Sequence, residues 1–232
     1  MKYNYSYIKN SFHSQEAWIN VFVLKYITMP LVYLMVNYTK ITPNIISLLS
    51  IIFGVYSAYN FFTGNVILGG AMYLISYIFD ATDGKVARIT KTGKPYGAWL
   101  DICIDRINLV LITTAIAYNF YLNTDEVLIV FLNSLFLGLT FIGSESRYNI
   151  DYYKLKNEII DQKKADSSSY GRWCIKRGVI KLPISLPELF LFYMVLAPCL
   201  NVELYSIFII NLFLIIRIIL QQKFWYDVVK NK

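Results

Sequence analysis

Residues 80–105 read DATDGKVARITKTGKPYGAWLDICID, and this stretch decides the fold. It holds four aspartates inside a chain that is otherwise largely apolar. On an α-helix, residues three or four apart share a face, with Cβ atoms about 5–6 Å apart. Asp80 and Asp83 therefore point one way from a first helix, and Asp101 and Asp105 point one way from a second. Between them, Thr92, Gly93, Lys94 and Pro95 form a reverse turn, so the helices run antiparallel and bring the two acidic pairs together.

Four carboxylates in one small volume need neutralising. Two of them about 4 Å apart repel by roughly 4 kcal/mol even at an effective dielectric near 20. Protonation is one remedy; bound divalent metal is the other, and all-oxygen ligands select a hard cation such as Mg²⁺, Mn²⁺ or Ca²⁺. Gly84 and Ala87 share the face of the first pair, and Gly97 stands one turn before Asp101, so small residues leave room beside each pair. Such residues also serve close helix packing in membranes. Arg88, one turn beyond Gly84, adds a planar fork of donors suited to phosphate oxygens. Metals, an arginine and an uncovered helix surface together describe a pyrophosphate site.

The pattern D-x-x-D-G-x-x-A-R, eight residues, then G-x-x-x-D-x-x-x-D is present without gap or substitution. By it the chain resembles the CDP-alcohol phosphotransferase (CDP-alcohol phosphatidyltransferase) family, integral membrane enzymes of phospholipid synthesis. The resemblance implies two divalent cations, Mg²⁺ or Mn²⁺, held by Asp80, Asp83 and Asp101, with Asp105 as a catalytic base that also reaches a metal. It implies that Asp80, Asp83, Gly84, Ala87, Arg88 and Gly97 receive the CDP moiety. Asn44, in the segment ITPNIIS, is similar to a TPN-type entry of the family and borders the nucleotide or the acceptor. A juxtamembrane helix before six spans, and a homodimer, are further implications.

Composition agrees with a membrane protein. The chain has 232 residues, 56% hydrophobic and 17% aromatic, which suits a single all-α domain over residues 1–232 built as a polytopic membrane helix bundle. The net charge of +7 is read as membrane topology and not as a nucleic-acid interface. Cys103, Cys174 and Cys199 are scattered and odd in number, consistent with reduced thiols. His13, the one histidine, stands in a polar terminal segment, so Ser-His-Asp and Cys-His chemistry lack a base. The N-terminal MKYNYSYIKN lacks the apolar core and cleavage site of a signal peptide, and is expected to stay in the mature protein.

Residues 15–38 are apolar but interrupted by Glu16, Asn20, Lys25 and Pro30, which favours a helix lying in the membrane interface. The first span is expected from Pro43, with Thr42 as its N-cap, to about residue 62. The others are expected over 66–80, continuing past the bilayer through Arg88, then 97–120, 127–142, 188–200 and 202–220. The turns at 63–65, 122–126 and 201–203 contain no lysine or arginine, so both termini and the motif are placed on the cytoplasmic side. A span through Lys25 would send the basic N-terminus outside.

Residues 143–187 are expected to form a cytoplasmic loop. Within it, 149–166 reads as a surface helix and SSSYG as a break. RWCIKRGVIKLPIS then interleaves cations with Trp173, Ile175 and Val179, a composition suited to anionic lipid headgroups. Arg147, at the end of the fourth span, is a candidate for binding an acceptor that carries phosphate. Arg217 is expected to snorkel to the interface and Arg106 to pair with an interfacial group.

The function implied is transfer of a phosphatidyl or related lipid phosphoryl group from a CDP-lipid, such as CDP-diacylglycerol, to a polar alcohol with release of CMP. The segment GAWLDICIDR is similar to the phosphatidyl-transferring branch, especially its inositol-type members. The alternative is transfer of a phospho-headgroup from a soluble CDP-alcohol to a lipid alcohol. A membrane transporter with an acidic ion site is the distant rival, but it calls for polar residues along a path across the bilayer. Here they gather at one end.

Overall fold

The computed structural model describes the chain except residues 1–2, 11–14, 157–167, 182–184 and 231–232, so His13 lies outside the described residues. The described elements are helices, joined by one isolated backbone bridge between Glu16 and Val179. In order they are α1 (Tyr5–Asn10), α2 (Asn20–Tyr38), α3 (Pro43–Phe62), α4 (Val66–Thr90) and α5 (Pro95–Thr124). There follow α6 (Leu128–Lys156), α7 (Ser169–Arg177), α8 (Leu186–Leu200) and α9 (Glu203–Lys230). The first turns of α2 (Asn20–Leu24) and a middle turn of α8 (Phe192–Leu196) are π-helical.

Five of the described helices are long and apolar enough to cross a membrane: α2, α3, α4, α6 and α9, the last over Glu203–Tyr226. Four of these coincide with expected spans, whereas α2 is the helix expected in the interface. The long α5 is not among the five, and its first half carries Asp101, Asp105 and Arg106. The apolar α8 is shorter.

Helix α3 organises the bundle. Ser47, Ser50, Gly54 and Ser57 fall on one buried stripe at helical spacing, and this stripe packs against both α4 and α5. Ser57 Oγ donates to the Gly69 carbonyl at 2.8 Å, and Ser76 Oγ donates to the Ser50 carbonyl at 2.8 Å. Small side chains let the backbones approach, and their hydroxyls replace the water that lipid denies. By contrast, α4 and α5 barely touch each other along their lengths. The expected antiparallel pair is thus a pair held apart by a third helix.

Gly54 marks the tightest approach. A Cβ there would stand 2.1 Å from Oδ1 of the buried Asn108 on α5. Gly54→Val is expected to cost about 1–3 kcal/mol through overpacking, read as a lower thermal unfolding midpoint in detergent. An unchanged midpoint would mean that α3 and α5 sit further apart.

The remaining helices close the bundle around Phe61, Ile112, Ile116, Phe136, Tyr193 and Met194. α6 packs mainly on α9, and the π-helical turn of α8 rests on α4. A second, smaller core joins Val32 and Met35 of α2 to Ile46, Val86 and Ile89. Thr42 takes the N-cap position of α3 with Pro43 in the first turn, but its side chain makes no capping bond.

Two helices run well past their expected ends, α9 beyond residue 220 to Lys230 and α6 beyond residue 142. α6 does not stop near residue 142 but runs through Lys156, so the connection to the next apolar helix is shorter than residues 143–187. Beyond the apolar segment the helix carries pairs one turn apart, Arg147 with Asp151 at 3.9 Å and Tyr148 stacked with Tyr152. Such pairs support a solvated helix. Of the surface helix expected over 149–166, the first part is the end of α6, and residues 157–166 lie outside the described residues. The SSSYG break becomes a helix start, with Ser168 Oγ accepting from the Gly171 amide at 2.9 Å.

Candidate active site

The acidic residues sit where α4 ends and α5 begins. Lys91 takes a left-handed conformation (φ 56°), the Thr92 amide reaches back to the Ala87 carbonyl at 3.1 Å, and Pro95 opens α5. This reversal returns the chain so that Asp80 faces Asp105, and Asp83 faces Asp101, across the gap between the two helices. Carboxylate oxygens of Asp80, Asp101 and Asp105 all lie within 4.8 Å of one another.

Asp83, the fourth, is buried and held differently. Its Oδ2 accepts a hydrogen bond from the Ser47 hydroxyl of α3. Ser47 lies three residues after Asn44, and the small-polar stripe of α3 was the signal that could have marked it. Oδ1 of Asp101 is buried with no hydrogen-bond partner among the described residues. An orphaned carboxylate oxygen beside two further carboxylates is a donor set suited to a hard divalent cation, so the residues present fit the metal site expected.

Two cavities open onto this cluster. The first, about 920 Å³, is reached by Asp83 and Asp101 and floored by Gly84, Ala87 and Gly97. Lys40, Arg88 and Lys94 bring positive charge to it. Asn44 lines it as well, its Oδ1 lying 3.1 Å from where a Gly97 Cβ would stand. The nucleotide residues expected from the motif are therefore gathered on one surface, with one exception: Asp80 does not line this cavity.

Asp80 and Asp105 line the second cavity, about 820 Å³. Its wall combines Ser76, Asn108 and Thr140 with apolar groups such as Leu109 and Met194. Oδ1 of Asn108 and the Thr140 hydroxyl are buried there without a partner among the described residues. Arg106 also reaches this cavity, its guanidinium 5.7 Å from the Phe141 ring centroid. Arg147 lines neither cavity and is largely exposed beside Asp151. The expectation that Arg147 binds the acceptor thus finds no contact with the cluster.

A support behind α4 was not visible in the motif. Lys85 is buried, ion-paired with Glu16 at 3.8 Å and donating to Thr28 Oγ1 at 3.5 Å. Tyr77, one turn before the cluster, donates to Asn20 Oδ1 at 3.0 Å. Lys85 is thus held on the side of α4 away from the acidic cluster, while Tyr77 lines the second cavity beside Asp80, and no spacing rule within one helix could reveal either partner.

Comparisons with known proteins point to one family. The chain is 28% identical over 150 residues to the archaetidylinositol phosphate synthase of Pyrococcus horikoshii, an alignment covering 65% of this chain and 70% of that protein. It is 37% identical over 67 residues to the bifunctional IPC transferase and DIPP synthase of Aquifex aeolicus, covering 29% of this chain but only 15% of the larger protein. Its fold resembles the crystal structure of Mycobacterium tuberculosis phosphatidylinositol phosphate synthase with CDP-DAG bound, with a TM-score of 0.59 and 16% identity over 87% of this chain and 92% of that one. The model of one family matches residues 40–220, a stretch that contains both acidic pairs and most of the residues lining the two cavities, and on that ground the chain belongs to the CDP-alcohol phosphatidyltransferase family.

Proposed function

We propose that this protein transfers a phosphatidyl or related lipid phosphoryl group from a CDP-lipid such as CDP-diacylglycerol to a polar alcohol, releasing CMP. The observation that carries this reading is the division of the acidic cluster between two cavities. One is cation-lined and floored by small residues, as a nucleotide diphosphate requires. The other is part polar and part apolar, as an alcohol meeting a lipid requires.

In this reading Lys40, Arg88 and Lys94 bind the phosphates of the donor, and the uncovered backbone at Gly84 and Gly97 admits the cytidine. The acceptor enters the second cavity, where Asp105 is the exposed carboxylate of the cluster. Asp105 takes the hydroxyl proton as the acceptor oxygen bonds to the phosphorus nearest the lipid, and the bond from that phosphorus to the CMP oxygen breaks. Asp80, Asp83, Asp101 and Asp105 would hold two divalent cations, Mg²⁺ or Mn²⁺, whose chemistry is to neutralise charge on the attacking and leaving oxygens. Ser47 fixes the Asp83 carboxylate in one orientation.

The membrane arrangement belongs to the same reading. One domain of six spans, with α2 in the interface, puts both termini and the cluster on the cytoplasmic side, following the lysines and arginines. The lipid tails of the donor remain among the surrounding membrane lipids while its nucleotide enters the polar cavity. The active form is a homodimer.

The test is CMP release by purified protein in lipid bilayers, given CDP-diacylglycerol, Mg²⁺ or Mn²⁺, and a panel of polar alcohols and their phosphates. The expected result is acceptor-dependent release that chelation with EDTA abolishes and added metal restores. Release only from CDP-choline or CDP-ethanolamine with a lipid alcohol would overturn the donor assignment. Release that survives exhaustive chelation would overturn the metal site.

A further inference from the structure

Among the described residues, the segment around α7 is a strongly charged surface that the reaction does not use. Residues 168–181 contain Arg172, Lys176, Arg177 and Lys181 and no acidic residue. Gly171 and Cys174, one turn apart, are buried and form the inner face of α7. Its outer face exposes Tyr170 (48%), Trp173 (40%) and Ile175 (54%) between the cations. The two rings stack at 6.4 Å, and the Arg177 guanidinium lies 5.9 Å from the Trp173 ring centroid. The Gly178 C-cap (φ 71°) stops the helix and turns the chain back toward the N-terminal segment.

That return is tied to the helix bearing the active site. The Glu16 amide donates to the Gly178 carbonyl at 2.9 Å, and the Ile180 amide donates to the Glu16 carbonyl at 3.0 Å. Trp18 Nε1 donates to the Ile180 carbonyl at 2.9 Å, and its ring packs on Trp173 at 5.6 Å. Glu16 is thus bound through its backbone to the segment after α7 and through its carboxylate to Lys85 of α4. The side chains of that ion pair are 13% and 5% exposed. Lys85 lies two residues past Asp83.

We propose that α7 and the residues after it, through Lys181, are a docking face for the anionic headgroups of the membrane, strapped by Glu16 and Lys85 to the back of α4. Charge complementarity names the occupant. Aromatic rings interleaved with cations, with no carboxylate among them, suit the boundary between headgroups and acyl chains, where each cation near an anionic surface strengthens binding by about fivefold. When the surface holds α7, the strap restrains α4 from the side opposite α5. Membrane charge is then felt at the acidic cluster without any lipid touching it.

Hydrogen exchange on the full chain tests this without catalysis, so its failure is separate from failure of the proposed activity. The protein is placed in bilayer discs of phosphatidylcholine alone, or of phosphatidylcholine with phosphatidylglycerol. Amides from Arg172 to Gly178 should exchange at least about fivefold more slowly in the anionic discs. Lys176→Gln with Arg177→Gln, both exposed positions, should shrink that difference. Equal exchange of the wild type in the two lipids, whether fast or slow, would overturn the docking face. Slowing should extend to residues 84–90 of α4 in the wild type and be absent there in Glu16→Gln, which keeps the backbone bonds of Glu16 but removes its charge. If α4 in Glu16→Gln still responds to anionic lipid as the wild type does, the strap is wrong.

Discussion

Asp105→Asn should lower CMP release at least about a thousandfold while leaving CDP-lipid binding measurable. The substitution keeps size and shape but removes the negative charge and with it the ability to accept a proton. Asp105 is the exposed member of the cluster and lines the second cavity, whereas the cation-lined cavity is built from other residues. Loss of turnover with retained binding is therefore what a base on the acceptor side predicts. The two quantities are measured separately, by CMP release under saturating donor and by equilibrium binding of the donor in Mg²⁺. Full activity in Asp105→Asn would remove this residue from the role of base. Loss of both would point to a residue whose first duty is to hold metal.

Asp80→Ala carries the second large effect. Its carboxylate oxygen lies within 4.8 Å of those of Asp101 and Asp105, so its removal takes one donor from a three-carboxylate group. Replacing even an outer partner of a metal ligand typically costs ten- to a hundredfold in metal affinity, and losing a ligand should cost at least about a hundredfold. Metal-dependent nucleotide binding should weaken accordingly. The same change relieves like-charge repulsion in the metal-free protein. Its thermal midpoint in EDTA should stay level or rise, while the rise that Mg²⁺ gives the wild type should shrink, because a ligand stabilises only through its own binding. This pairing separates a metal site from a structural defect, which would lower the midpoint in both conditions. Unchanged metal dependence in Asp80→Ala would count against the site.

Much of the site was legible because helical geometry is rigid over short distances. Asp80 with Asp83, and Asp101 with Asp105, share faces by spacing alone, and the turn at Thr92 to Pro95 announces the reversal between them. The small residues Gly84, Ala87 and Gly97 and the cation Arg88 follow by the same rule, and all line one cavity. Ser47, Lys85 and Asn108 were not legible as a set, because each acquires its partner from an element far away in sequence. The end of α6 was misplaced for a related reason. Hydropathy reports where apolar residues stop, but helical hydrogen bonding continues into water where side chains one turn apart support it.

The sequence by itself determined the chemistry: which residue types are present, their spacing on two helices, and the need of four carboxylates for neutralising charge. It also determined the class of fold, since apolar runs of this length must be helical where backbone groups lack water. Only the tertiary structure decided how the carboxylates are shared out. α3 wedges between α4 and α5 through Ser47, Ser50 and Gly54, leaving a gap across which Asp80 meets Asp105 and Asp83 meets Asp101. It sends Asp83 and Asp101 to one cavity and Asp80 and Asp105 to the other. The physical reason is that periodicity within a helix is set by local backbone geometry, whereas the distance between two helices is set by the side chains of whatever packs between them.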